Sequence, residues 1–133
     1  MTILLPFTVE YQYDDLKDGV TVPVTLSNGH QEVAADAKVD PGSAVCLFSR
    51  EIGLSLKLDI ESGLYKPLGS LTGSLDAYGH EITITALGIP VNCFVYFARY
   101  PGLRRNLLGR QGWLRALRMA LVEYENKLYL DRL

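Results

Sequence analysis

The segment Ala37-Lys-Val-Asp-Pro-Gly-Ser-Ala-Val-Cys-Leu-Phe48 carries one carboxylate, Asp40, out of an apolar stretch into a glycine turn. A second apolar stretch then leaves the turn. A carboxylate fixed at such a tip is suited to proton transfer at a bound water or carbonyl. The same residues are also ordinary turn chemistry, because Asp bonds its own backbone and Gly adopts dihedrals that other residues avoid. Taken alone, Asp40-Pro-Gly-Ser43 reads first as an ordinary turn. Other chemistries are poorly served. His30, His80, Cys46 and Cys93 are scattered, and His80-Glu81 lacks the second histidine of a zinc-protease helix, so no metal or other cofactor is expected. Gly69, Gly73 and Gly79 have neither the spacing nor the following helix of a phosphate loop. Ser43 and Ser49 have no nearby histidine, and Asp14-Asp15 reads as a solvated turn.

The elements that must position Asp40 are mostly strands. Residues 1–13 mix apolar and β-prone types and predict an N-terminal strand, with Val9, Tyr11 and Tyr13 alternating against polar neighbours. Residues 20–26 alternate Val20, Val22, Val24 and Leu26 with Thr21, Pro23 and Thr25, and Pro23 places that strand at an edge or bulge. Ser27-Asn-Gly-His30 is a hairpin turn, and residues 31–39 return as the strand that ends in Asp40. Residues 44–56 predict a strand and a short helical turn. Glycines at 53, 63, 69, 73, 79 and 88 mark a long hairpin over 64–78, followed by strands at 81–87 and 91–98. Trp113, Leu114, Leu117 and Leu121 recur at three and four, which predicts a helix over 111–121. A closing hairpin, 122–130, turns at Glu125-Asn126. Short strands, glycine turns and one late helix imply a small closed β-barrel.

Composition limits the partners. The 133 residues suit one compact domain, and 48% apolar with 21% charged residues is ordinary for a soluble protein. A net charge of −2 argues against general nucleic-acid binding, which needs a cationic surplus. Six arginines between Arg99 and Arg118 read as a solvated helix face plus one structural ion pair. Cys46 and Cys93 lie in apolar runs and read as buried thiols, which favours a reducing compartment without excluding a single bridge. No signal peptide and no apolar run long enough for a membrane span are found, so a cytoplasmic location is expected.

Asn106-Leu-Leu-Gly-Arg110 comes after Asp40 by about 65 residues, beyond the glycine-rich hairpin and two apolar strands. This order resembles the retropepsin-like (retroviral-type) aspartic proteases, and most closely their small bacterial members, over roughly residues 20 to 130. There, an Asp-Thr/Ser-Gly turn precedes a flap hairpin and an apolar-apolar-Gly-Arg motif that enters a short helix. The resemblance implies an all-β fold: a small closed acid-protease barrel, a flap hairpin and one short C-terminal helix, with 1–133 a single domain. It assigns Asp40 as the catalytic residue and Pro41, Gly42 and Ser43 as the active-site turn. Leu107, Leu108, Gly109 and Arg110 would support that loop. Gly69, Ser70, Leu71, Thr72 and Gly73 would form the flap tip over a peptide substrate. Only one Asp-X-Gly exists in the chain, and the chemistry needs two aspartates sharing one proton. A homodimer must supply them, with the terminal segments 1–13 and 122–130 as the joining strands. Acidic pH should favour activity.

Two departures qualify the resemblance. Pro41 replaces the family's Thr or Ser, whose hydroxyl bonds the opposing loop; proline has neither hydroxyl nor N–H. Each lost bond is worth about 1 kcal/mol. That loss leaves open a second reading, a catalytically weak or inactive peptide-binding or assembly module with the same fold. Ala44 stands where retroviral relatives carry an acid that pairs with the arginine, so Arg110 is left with Glu51 or solvent.

Overall fold

Alternation of apolar and polar residues builds the central strands of the computed structural model, which describes residues 1–70 and 73–133. Val22, Val24 and Leu26 of β2 (Thr21–Ser27) point into the core, while Pro23 faces solvent. Pairing of β2 with its second neighbour begins only at Val24, so the missing N–H of Pro23 costs no ladder bond on that side. Asn28 closes the next turn, its Oδ1 accepting from the His30 and Gln31 amides at 2.9 and 2.7 Å. The chain returns as β3 (Glu32–Val39), and Cys46–Phe48 then forms the buried β4. Ser49 caps α1 (Arg50–Ser55) by accepting from the Ile52 amide at 3.3 Å.

β5 (Leu64–Ser70) and β6 (Gly73–Ala86) make the long hairpin. The strand expected at 81–87 is the far half of β6, which continues unbroken from the hairpin arm. β7 (Ile89–Ala98) pairs along it, and β8 is the two-residue Leu107–Leu108. The order β2-β3-β8-β4-β7-β6, with β6 pairing again to β2, closes a six-stranded barrel and leaves β5 outside the ring. The interior is apolar: Leu26, Phe48, Ile84, Val95, Phe97, Leu108 and Trp113 are fully buried. Burying a side chain of this size stabilises by roughly 1.5–3 kcal/mol. The all-β closed barrel expected from the sequence is therefore present.

A second sheet, ordered β1-β10-β9, joins β1 (Val9–Gln12), β10 (Lys127–Arg132) and β9 (Leu117–Val122). The closing hairpin turns through Asn126, in the left-handed region at φ 56°. Leu128 and Leu130 bury the inner face of this sheet against the barrel. Tyr13 locks its open end, donating its amide to Asn126 O at 3.0 Å and its hydroxyl to Glu123 Oε1 at 2.7 Å.

Three expectations need correction. The helix over 111–121 is absent. Leu114–Ala116 makes one 3-10 turn, and Leu117–Val122 is a strand paired along its length with β10. The apolar spacing is ambiguous, since Leu117, Met119 and Leu121 also alternate. Gly112 at φ +97° turns the chain before a helix can start, and the β10 ladder captures residues 117–122. Among the described residues the one α-helix is α1, so the expected C-terminal helix is replaced by this turn and strand. The N-terminal strand begins only at Val9; Met1, Ile3, Leu4 and Leu5 are exposed and unpaired in any sheet. The arginines do not share a helix face. Arg99, Arg105 and Arg118 pair with Asp76, Asp18 and Asp131, giving three ion pairs where one was expected.

The Tyr13–Glu123 bond makes stability sensitive to alkali. Donation to the carboxylate pushes the Tyr13 phenol up from an ordinary 10.0 to about 12. The neutral phenol is thus favoured by folding; its contribution is complete below the ordinary value and is lost as pH rises through about 12. Denaturant midpoints measured across that interval should fall more steeply for the natural chain than for Tyr13→Phe. Equal slopes would show that the bond carries no such linkage.

Candidate functional site

Three short segments meet at Asp40. β3 brings Ala37 and Val39, both buried, up to the turn. β8 runs parallel beside it with Lys38 opposite Leu107 and Val39 opposite Leu108. The Asp40 amide donates to Leu108 O at 3.0 Å and the Val39 amide to Val20 O at 2.8 Å, which fixes where the strand ends. The turn then folds on itself. The Ser43 amide donates to Asp40 O at 3.0 Å and the Gly42 amide to Asp40 Oδ1 at 2.9 Å. Ser43 Oγ donates to Val45 O at 2.7 Å. None of these bonds uses the amide of position 41, so proline fits the turn without removing a bond within the chain.

The loop after β8 braces the turn from behind. The Arg110 and Gln111 amides donate to Ser43 O and Ala44 O, each at 2.9 Å. Gly109 makes this approach possible. A Cβ placed there would lie 2.8 Å from Ser43 O and overlap the Val45 carbonyl outright. Behind the loop sit the two buried thiols. Cys46 Sγ donates to Gln111 O at 3.8 Å and Cys93 Sγ to Gly112 O at 3.1 Å. The hydrogen bond with Cys46, and then burial, push the Cys93 thiol well above the ordinary range, so it stays protonated as a structural donor.

Asn106 supplies a clamp. Its side chain donates to Asp36 O at 2.9 Å and accepts from the Ser49 amide at 3.0 Å, while its carbonyl accepts from Lys38 N at 2.8 Å. One residue thereby ties β3, β8 and the start of α1 together. Sequence reasoning misses this role, although a lone Asn ahead of two apolar leucines is the available signal.

The turn opens onto a cleft of about 490 Å³. Gly42 to Val45 form one wall, Leu47 and Leu107 the floor, and Lys66 to Gly69 with Leu75 of the β5–β6 hairpin the roof. The cleft begins at Gly42, whose amide holds the Asp40 carboxylate. A hollow of similar size, about 510 Å³, lies over β2 and β3; its one carboxylate, Asp36, is already held by Lys17 at 3.1 Å. The cleft beside the Asp40 turn is the better candidate because one of its wall residues, Gly42, holds the Asp40 carboxylate and its floor is apolar.

The expected site residues thus divide. Asp40, Gly42, Ser43, Leu107, Leu108, Gly109 and the Arg110 backbone come together, and Gly69 faces them across the cleft. Pro41 is exposed at the tip of the turn. Ser70 and Gly73 are paired at the end of the hairpin, and Leu71 and Thr72 lie outside the described residues. The Arg110 side chain is exposed and has no ion pair among the described residues. Glu51 instead accepts from the Gly102 amide at 3.2 Å. Leu47, Lys66, Leu68 and Leu75 complete the cleft and do not stand out in the sequence.

No family model matches the sequence, and a search of curated proteins finds no match. Solved structures do match by shape. EIAV protease in complex with the inhibitor HBY-793 superimposes with a TM-score of 0.55 at 18% identity, over 73% of this chain and 86% of that one. The chain therefore has the retropepsin-like all-β fold. No helix among the described residues is long and apolar enough to cross a membrane.

The Gly109 contact yields a stability test. Gly109→Ala forces two backbone segments apart and should cost about 1–3 kcal/mol, the usual penalty for overpacking. Gly69→Ala, whose added methyl meets nothing within 4 Å, should leave the denaturation midpoint almost unchanged. Equal losses for the two variants would remove the argument that Gly109 sets the turn.

Proposed function

We propose that this chain is one half of an aspartic endopeptidase that acts as a homodimer, with 1–133 forming one domain. What carries the reading is the Asp40 carboxylate, held by the Gly42 amide at the mouth of an apolar cleft roofed by a hairpin. That arrangement sits on a barrel shared with a retroviral protease.

Two copies related by a twofold axis would bring their Asp40 turns face to face. Two carboxylates that close cannot both ionise, so the pair holds one proton. The ionised partner takes a proton from a water between them, and the protonated partner polarises the scissile carbonyl. The β5–β6 hairpin acts as the flap, covering an extended peptide and offering it main-chain partners. The exposure of Pro41, Gly42 and Ala44 in the single chain suits a tip that meets another copy. The free edge of β9 and the exposed segment 1–5 are the surfaces offered for joining the subunits.

Pro41 supports a second reading, a peptide-binding module that has lost turnover. The bond it forfeits is the one from a Thr or Ser hydroxyl to the opposing loop, a loss of about 1 kcal/mol on each side of the axis. That weakens the dimer without disturbing the turn of either chain.

The purified protein should cleave peptides from a diverse mixture, best at acidic pH, and should sediment as a dimer. Asp40→Asn should lower the rate by roughly 100- to 10,000-fold. Pro41→Thr should strengthen the dimer and raise the rate. Binding without cleavage that Thr restores would favour the second reading. A strict monomer that neither cuts nor binds peptides in any version would sink both.

A further inference from the structure

The cleft contains one charged side chain among its described lining residues. Lys66 stands on the hairpin roof, exposed, with its ammonium 5.8 Å from the centroid of the Tyr96 ring. Lys66 takes part in none of the ion pairs among the described residues. The acid closest in register is engaged elsewhere: Asp76 accepts from the Tyr65 hydroxyl at 2.7 Å and pairs with Arg99 at 3.5 Å. Another candidate, Glu61, is held by both terminal nitrogens of Arg50, at 2.9 and 3.0 Å. The ring beneath Lys66 offers its face to the cation but leaves the ammonium donors open to a partner from solution.

The surroundings are otherwise apolar. Val45 and Leu47 are buried in a small cluster with Tyr96, separate from the barrel core, and Leu68, Leu75 and Leu107 pack partly exposed against it. Those three present a floor and roof suited to a branched aliphatic side chain. Their burial by a ligand would gain roughly the same free energy per area as burial in a core.

The geometry points to Lys66 as a specificity-determining residue: the cleft takes extended peptides that combine an aliphatic side chain with a nearby Glu or Asp, whose carboxylate pairs with the Lys66 ammonium. This rests on the reading of the cleft as a peptide site and names the class of peptide it selects. The pairing also resolves an electrostatic conflict. A cleft built around aspartates repels an acidic ligand, and a single unpaired cation on the roof marks where one is tolerated. Because the pair stays near solvent, its effect is modest and screened by salt.

The test uses short acetylated peptides built around Leu-Val, each with one Glu at a different flanking position and each matched by its Gln version. Binding is measured with the Asp40→Asn chain and cleavage with the natural chain. At low salt at least one Glu peptide should bind about two- to fivefold tighter than its Gln partner, the span of an exposed ion pair. The preference should shrink at high salt, persist in Lys66→Arg, vanish in Lys66→Gln and reverse in Lys66→Glu. A purely structural role for Lys66 would change all peptides alike and leave the Glu-to-Gln ratio untouched. Cleavage without a Glu preference overturns the Lys66 assignment and leaves the protease reading standing. A Lys66-dependent Glu preference without cleavage does the reverse. Peptides neither bound nor cut overturn both.

Discussion

The close backbone contact between residues 109–111 and the turn at 43–45 is the constraint that holds the site in shape. Two main-chain hydrogen bonds link the segments, and they form only because Gly109 has no side chain to fend off the Val45 carbonyl. The contact holds the second half of the Asp40 turn from outside while the Gly42 and Ser43 amides hold its first half from within. A carboxylate placed this way has little freedom, which is the condition for using it in chemistry.

The barrel extends that constraint outward. β8 is only two residues long, yet it fills the gap between β3 and β4 and pairs with both. Asn106 makes so short a strand sufficient, because its side chain and carbonyl make three bonds in addition to the ladder, two to β3 and one to the cap of α1. The buried thiols of Cys46 and Cys93 perform a similar office on the far side of the 109–112 loop. Both thiols are partnered by main-chain carbonyls of the loop, whereas the buried indole N–H of the adjoining Trp113 has no hydrogen-bond partner among the described residues. β5 lies outside the ring and is joined to it through β6, whose near half completes the hairpin and whose far half belongs to the barrel. Roof and floor of the cleft are thus held by different means, the floor by closure of the barrel and the roof by one long strand.

Pro41 illustrates how a residue without an N–H is absorbed locally in a tight turn. The turn at Asp40 draws on the amides of positions 42 and 43, so a residue without an N–H at 41 leaves the turn whole within one chain. The terminal sheet is similar in kind. β1, β10 and β9 pair with one another within the chain, leaving β1 and β9 as the edges of that sheet and Met1, Ile3, Leu4 and Leu5 exposed.

Much of this is legible in the sequence, for a physical reason. Strand periodicity is enforced residue by residue, so the alternation of Val22, Val24 and Leu26, the Asn28-Gly29 turn and the Asn126 turn show their positions directly. The Asp40 turn and the Leu-Leu-Gly segment are visible as residue types in order. Their meeting is not, because it is created by barrel closure between residues about 65 apart. The segment at 111–121 misleads because its apolar spacing satisfies both a helix and a strand. Partnership with β10 decides between them, and a partner arises only when the chain has folded. Lys66 is silent for the same reason: one more exposed lysine becomes distinctive only once the fold has placed it over an apolar cleft with the acids around it already engaged. Most strands and turns and the chemical identity of the candidate carboxylate therefore follow from local residue types. Which segments touch does not, since contacts between distant residues are set by packing and closure rather than by local preference.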